Sequence, residues 1–589
     1  MAEKDTFEIG LVMAGAVSAG AYTAGVVDYL LEALQHYARL RKAFADAHPG
    51  KSLHNVQIRV ISGASAGGMT GTMLLSSMMD EGYRPMRGYD PAAVTRPDID
   101  ANVFYRSWVD AESGIDIRYF LDNADVTGRE PLRSLLNCRR LDVIADDALS
   151  RPRALQPHDY IPGRIDHFLS VFNLAGVPYT LDFEGSDAQY GLVNHSDMMH
   201  FVHDGNPDTH HGPNEIPLGS DPGSALDANW KLLRQSTLAT GAFPLALQPR
   251  ELHRDAAAYD DWRWWVPAGD KKGRCKDGRC FAMTTIAPDW SCREGSGEYA
   301  FVCVDGGVAN NEPLEIARRA LAGDDAFNPR DKNEAHRAVI MVDPFPSDPC
   351  VPSFTFEDAT LFHTATRLFG SLKEQARFKP DELEMARNPD IFSRFMIAPT
   401  RKGAARGEEI ASASLGAFGG FLSEKFRQHD FQLGRRNCQA FLMKYFVIGT
   451  ENPLVKANLA WFREHGCIVE AGEEEFVQVV PMADLPGGSI TEEVKPIGYG
   501  SIAMSQRDVD ETMHLIDKRI ETVIAKSQVI TDMIDGVTEK IGITPLRWLA
   551  RQLMKLLRGA VSAYLVSRMS AQIRKVMESD LKQRGLLKS

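Results

Sequence analysis

A chain of 589 residues is too long for one compact core, so two or three domains, or one heavily decorated domain, are expected. Its 44% hydrophobic and 25% charged residues are those of a soluble globular protein, and a net charge of −13 argues against general nucleic-acid binding. Eight cysteines over this length do not make a disulfide scaffold and fit a reducing cytoplasm.

The opening Met1-Ala2-Glu3-Lys4-Asp5 lacks the basic n-region of a signal peptide. The apolar stretch from Ile9 to Leu34 is broken by Gly10, Gly15, Gly20, Gly25, Asp28 and Glu32, which reads as strand, turn and helix rather than a membrane span. Phe7–Met13 is the strand, Ala14–Gly20 a turn of small residues, and Ala21–Ala45 the helix. Val56–Ile61 follows as a strand, and Gly68–Met79 opens the next helix. Two strand-turn-helix units in succession predict a parallel sheet covered by helices, with ligand sites at the carboxyl ends of the strands.

Gly82 to Asp100 reads as a loop, and His167–Leu174 and Pro178–Phe183 as two strands with a turn at Gly176. His195, His200, His203, His210 and His211 lie among Gly, Pro and Asn, the pattern of a solvated loop; a metal site is the alternative. Trp230–Thr240 is helical, and Arg254–Glu298 is irregular, with Cys275, Cys280 and Cys292 read as free thiols in a loop insertion. Tyr299–Val304 is a buried strand ending in Asp305-Gly306-Gly307, and Ala338–Val342 a strand stopped by Asp343-Pro344. Beyond about 353 the chain is mostly helical, interrupted by strand-like Tyr445–Ile448 and Phe476–Val480.

The chemistry gathers on Gly63-Ala64-Ser65-Ala66-Gly67, placed between a strand and a helix. A serine on such a turn is pushed out of the sheet edge, and the following helix aims its N-terminal N–H groups at the site. Gly63 and Gly67 let the backbone turn without clashes. A hydroxyl needs a base within hydrogen-bonding reach. Asp305 is the best placed carboxylate, and Asp343 is its rival. Developing negative charge needs donors, and the turn at Gly15, Ala16 and Val17 can supply backbone N–H groups at the same edge. Read as a phosphate cradle instead, that turn lacks the lysine of a P-loop.

These segments, in this order, resemble the patatin-like phospholipases. The match comprises the small-residue turn Gly15–Gly20 with Ala21-Tyr22-Thr23-Ala24-Gly25-Val26, Gly63–Gly67, Leu238-Ala239-Thr240-Gly241-Ala242-Phe243-Pro244 and Asp305-Gly306-Gly307. The resemblance implies an α/β fold, a three-layer α/β/α sheet with a mostly helical C-terminal extension. It implies a Ser–Asp dyad of Ser65 and Asp305, an oxyanion hole at Gly15, Ala16 and Val17, and no metal or organic cofactor. The activity implied is acyl hydrolysis of phospholipid or lysophospholipid esters; a catalytically weak lipid-binding module and an acyltransferase are the alternatives. One departure stands out: where the family commonly has G-G-G-x-R-G, this chain has Gly15-Ala16-Val17-Ser18-Ala19-Gly20, with valine where φ > 0 is poorly tolerated. Phe418-Gly419-Gly420-Phe421 and Arg427-Gln428-His429-Asp430 resemble a stretch of bacterial members.

The domains expected are an acyl hydrolase domain over 1–345, a mixed, mainly helical extension over 346–500 and a basic amphipathic helical segment over 501–589. Between 537 and 589 eleven Lys and Arg stand against three acidic residues, and Arg547, Arg551, Lys555 and Arg558 recur at helical spacing near Trp548. Such a helix suits an anionic membrane surface. Packing on the acidic body or on a second copy in a homo-oligomer is the leading expectation, and membrane contact the alternative. The protein is expected in the cytoplasm, with peripheral contact to the inner membrane face as a further expectation, and without a nucleic-acid partner.

Overall fold

A computed structural model describes residues 5–526 and 566–588, apart from 88–89, 91–92, 127–130, 150–157, 183–188, 205–209, 220–226, 268–280, 293–296, 324–326, 347–353, most of 358–389, and positions 406 and 487. Cys275 and Cys280 lie outside the described residues. Strand β1 (Thr6–Met13) turns Phe7, Ile9, Leu11 and Met13 toward one helical layer and Val12 toward the other. The period-2 alternation of a doubly covered strand explains both sets. Helix α1 (Gly20–Ala47), strand β2 (Asn55–Gly63) and helix α2 (Ser65–Met78) follow. Helix α2 begins at the serine itself, three residues before the small-residue run that announces it.

Gly82 to Asp100 is not wholly a loop, since a short helix, Arg96–Ala101, closes it with a Thr95–Asp98 capping box. Helices α3 (Val103–Trp108) and α4 (Arg139–Leu149) lead to strand β3 (Ile165–Asp182), one long strand where two are expected. The Ala175-Gly176 break is absorbed as a register irregularity between Phe172 and Val177, with Gly176 at φ +79°. Strand β4 (Gln189–His203) replaces the expected histidine-rich loop. Three of the five histidines lie on it and find partners: His195 Nδ1 meets Asn173 O at 2.7 Å, His200 Nε2 meets Asp166 at 2.9 Å, and His203 Nδ1 meets Leu218 O at 3.1 Å; His210 and His211 lie outside any strand, as expected of a loop.

Strands β5 (Glu215–Pro217) and β6 (Arg250–Asp255) flank helix α5 (Asp227–Thr240). A ribbon of β7 (Arg263–Pro267) and β8 (Phe281–Thr285) precedes β9 (Glu298–Asp305), helix α6 (Leu314–Ala322) and β10 (Arg337–Val342). Strand β11 (Arg394–Ile397), beyond residue 345, pairs in parallel with β10. The main sheet has the order β11-β10-β1-β2-β3-β4-β5, with β9 joining β3 to β6. Pairings from β11 to β3 are parallel, but β4 and β9 run antiparallel to β3. The sheet is therefore mixed rather than parallel, because β3 continues past the end of β2 and offers its free length to returning strands. Helices cover both faces: α6 packs on Val12, Val60 and Val339, while α1 and α2 share the opposite core.

Helix α7 (Glu424–Lys444) lies across α1. The crossing is closed by glycines, since a Cβ on Gly25 would stand 1.9 Å from Phe431 O and one on Gly434 would stand 2.2 Å from Tyr22 O. Beside it Arg435 reaches Glu32 at 2.5 Å and bonds Asp28, which also accepts from Tyr83 Oη at 2.7 Å. Gly25→Ala is expected to cost about 2–3 kcal/mol or more, because backbone rather than a movable side chain blocks the new methyl. A urea midpoint unchanged from wild type would contradict this packing.

A small sheet, β12 (Val447–Gly449), β13 (Ile468–Ala471) and β14 (Glu474–Gln478), and helix α8 (Gln506–Lys526) complete the described fold. Met577 and Leu581, on a helix described over 566–583, pack with Phe426, Val509 and Met513. The basic positions Arg547, Arg551, Lys555 and Arg558, with Trp548, lie outside the described residues. Among the described residues no helix is long and apolar enough to cross a membrane.

Candidate active site

The site lies where two strands end on one edge of β3. Gly63, the last residue of β2, is in register with Leu169, and Asp305, the last of β9, with Val171. Strands of opposite direction thus deliver the serine turn and the aspartate to positions two residues apart on a common neighbour. Ser65 Oγ donates to Asp305 Oδ2 at 2.6 Å, and Asp305 Oδ1 accepts the Gly307 N–H at 2.7 Å. Both side chains are buried, at 7% and 4% exposure.

The turn is tight enough to place Ser65 at φ +53°. A Cβ on Gly67 would stand 2.2 Å from Met13 O, and one on Gly63 would stand 2.7 Å from the Gly67 carbonyl carbon, so both motif glycines are required by close approach. Thr240 secures the serine backbone: its Oγ1 accepts the Ser65 N–H at 2.9 Å and donates to Ser170 O at 2.6 Å. The sequence placed Thr240 in a matching segment without a role, and only the fold reveals this one.

The turn of Gly15, Ala16 and Val17 stands beside the serine, with Val17 at φ +47° in the left-handed region. A β-branched residue there is strained by roughly 1–2 kcal/mol. The Gly15 N–H donates to Asn311 O at 3.2 Å, so its amide is already engaged. Among the described residues no acceptor takes the N–H of Ala16 or Val17, nor those of Ala66 and Gly67 in the first turn of α2. Asn311, absent from the sequence-based candidates, also points its Nδ2 at Gly15 O (3.4 Å) and at Glu312 Oε1 (2.7 Å), tying the small-residue turn to the segment after the aspartate. No local motif marks it, because its partner lies 296 residues away.

Support also comes from the C-terminal half. Ser18 Oγ donates to Ala417 O at 2.5 Å and accepts the Gly420 N–H at 2.9 Å. Arg427, fully buried, donates to Gly420 O at 2.8 Å and Val109 O at 3.0 Å, and reaches Asp116 at 3.4 Å. A clasp from 417–427 therefore holds the turn that contains Ala19.

Asp343 lies at the end of β10 but is occupied elsewhere. Its Oδ1 accepts the Phe345 N–H at 2.9 Å, and its other oxygen lies 3.7 Å from Arg377. Burial first, and Glu312 second, push its carboxyl up from 3.8 to about 6. A carboxyl raised in this way favours folding only while protonated, so the contribution is full below about pH 4 and is lost as the pH rises through 6. Asp343→Asn cannot ionise, and should exceed wild type in stability by on the order of 2–3 kcal/mol at pH 8 and match it near pH 4. Thermal denaturation at the two pH values checks this, and a gain of equal size at both would contradict it.

From Ser65 an apolar slot runs between the helices, lined by Val17, Met69, Trp108, Ile144, Leu149 and Phe421 among others. Its free volume is about 70 Å³, a narrow channel rather than a bowl, and no histidine is among its lining residues. The arrangement offers a hydroxyl bonded to a carboxylate, unengaged amides at two backbone turns and an apolar channel leading away from them. Elsewhere, Asp166, His200 and Glu215 lie close enough for their ligand atoms to share an ion, but Arg59 and Arg164 already bind the Asp166 carboxylate, and Arg164 also binds Glu215.

Comparison with known proteins agrees with this architecture. The uncharacterized protein y4iI of Sinorhizobium fredii (strain NBRC 101917 / NGR234) is 34% identical over 474 residues, 76% of this chain. The chain spans 65% of the length of that relative. Residues 11–126, from β1 through the serine turn to the helices around the slot, match the family model of the patatin-like phospholipases. The match to a patatin-like phospholipase domain thus lies on residues 11–126, within a fold that is α/β.

Proposed function

We propose that the chain is a serine acyl hydrolase of phospholipid or lysophospholipid esters. The observation that carries the reading is the 2.6 Å bond from Ser65 Oγ to Asp305 at the mouth of an apolar slot. In this reading Ser65 attacks the ester carbonyl while its proton passes to Asp305, and an acyl-enzyme forms as the lysolipid or glycerol alcohol leaves with a proton. Water, deprotonated by Asp305, then attacks the acyl carbonyl, releasing the fatty acid and returning the proton to Ser65. The oxyanion of each tetrahedral intermediate is held by the amides of Ala16 and Val17, with Ala66 at the N-terminus of α2 contributing field and a donor.

The slot suits one acyl chain. Met69 and Met73 in its wall are unbranched and adaptable, so it can widen around a chain without disturbing the strands beneath. Phe421, from the C-terminal half, forms part of the same wall. Release of fatty acid from mixed phospholipid vesicles tests the reading. The expected result is release that needs no added metal, and Phe421→Ala should shift the preference toward longer or bulkier chains. A wild type that binds vesicles at normal affinity without turnover would oppose hydrolysis and favour a binding module.

A further inference from the structure

The end of α1 remote from Ser65 borders two adjoining hollows, of about 620 and 520 Å³, which share Gln35, Arg39, Arg87 and His158. Gln35 lies fifteen residues along α1 from its first residue, or roughly 22 Å at 1.5 Å per residue, so these hollows are separate from the slot. Arg39, Arg41 and Lys42 line the first, and Arg84 joins Arg39 and Arg87 in the second, in a chain that is acidic overall. The acidic lining is partly spent, since Asp159 pairs with Arg41 at 2.8 Å and Asp80 accepts the Gly82 N–H at 2.8 Å; Glu81 lines the second hollow too.

Arg87 is steadied by Glu32 at 3.6 Å, a carboxylate already bound to Arg435. Among the described residues no carboxylate lies within ion-pair distance of Arg39 or Lys42. Arg39 also stands close enough to Arg87 that, after burial, the neighbouring guanidinium is what most disfavours its charge, with Glu32 opposing it. Like charges converging over a hollow are unfavourable until an anion joins them. His158, shared by the two hollows, stacks on Tyr160 in the wall of the second, with ring centroids 5.0 Å apart.

We propose that this double hollow is a binding site for a ligand carrying two or more phosphate charges, held between Arg39 and Arg87 with Lys42 and Arg84 around it. Guanidinium forks match phosphate oxygens in geometry and charge. The site is distinct from the one where an ester would react, and does not depend on the hydrolase reading.

Titration of the full chain with inorganic pyrophosphate by calorimetry tests the proposal, alongside flotation with phosphatidylcholine vesicles containing a fifth phosphatidylinositol 4-phosphate. Saturable pyrophosphate binding that weakens at least tenfold in Arg39→Glu and in Arg87→Gln is expected of a soluble ligand. Vesicle binding lost in the same variants, with pyrophosphate silent, would place the phosphates on a lipid headgroup at the same site. Arg39→Gln serves if the charge reversal unfolds the chain, and far-ultraviolet circular dichroism checks each variant. Binding that is unchanged in all variants, or absent for both probes in the wild type, would overturn the proposal.

Discussion

Ser65→Ala is expected to reduce fatty-acid release at least about 10³-fold without unfolding the protein, and Asp305→Asn by roughly 10²–10⁴-fold. The two side chains share one short hydrogen bond in a water-poor setting, and Asp305 Oδ2 is the acceptor placed to take the serine proton. Their effects should not add. Once the nucleophile is gone the base has no proton to accept, so the double variant should fall little below Ser65→Ala. Stability gives the control. Asp305 also accepts the Gly307 N–H, and Asn can keep that acceptor while losing the negative charge. A folded Asp305→Asn at wild-type rate would remove the aspartate from the mechanism, leaving the serine to find another base.

Arg427→Met should be among the most damaging substitutions far from the serine. The side chain is fully buried, and its guanidinium serves Val109 O, Gly420 O and the Asp116 carboxylate. Removing it strands two carbonyls and a carboxylate that, among the described residues, Arg118 alone then pairs. Breaking such a buried pair costs about 3–5 kcal/mol. The loss should reach activity as well as stability. Gly420 holds Ser18, and Ser18 belongs to the turn that stands beside Ser65 and is proposed to supply the oxyanion donors. Arg427→Lys keeps the charge but lacks the planar fork, and should recover only part of the loss. Urea titration gives the first effect, and the rate on vesicles at a temperature where the variant remains folded gives the second. A shift below about 1 kcal/mol would mean that the clasp is incidental.

The serine turn and the aspartate were legible because each is announced locally, by a strand, small residues and a glycine exit. What joins them was not. Asp305 reaches Ser65 because β9 and β2 end on the same edge of β3, and that register is written in no single segment. Strand β3 looks broken at Gly176, yet an irregularity in pairing carries it through. Strand β4 looks like a loop because its histidines lie among Gly, Pro and Asn, and those on the strand are accommodated in the sheet through partners distant in sequence, such as Asp166 for His200. The small-residue turn is visibly unusual in sequence at Val17, which adopts φ +47°. The compensating contact, from Ser18 to Gly420, spans 402 residues, a distance at which no periodicity or spacing gives a signal. Gly15 was expected as a donor on position alone, and the carbonyl of Asn311 takes its N–H.

Ser65 is proposed as a nucleophile activated by Asp305. This is tested most directly by treating the full chain with a long-chain alkyl fluorophosphonate and locating the adduct by peptide mass spectrometry. The reading requires a single adduct on the peptide containing Ser65, formed more slowly in Asp305→Asn and absent from Ser65→Ala. An adduct on any other residue, or equal labelling of Ser65→Ala and wild type, would contradict it.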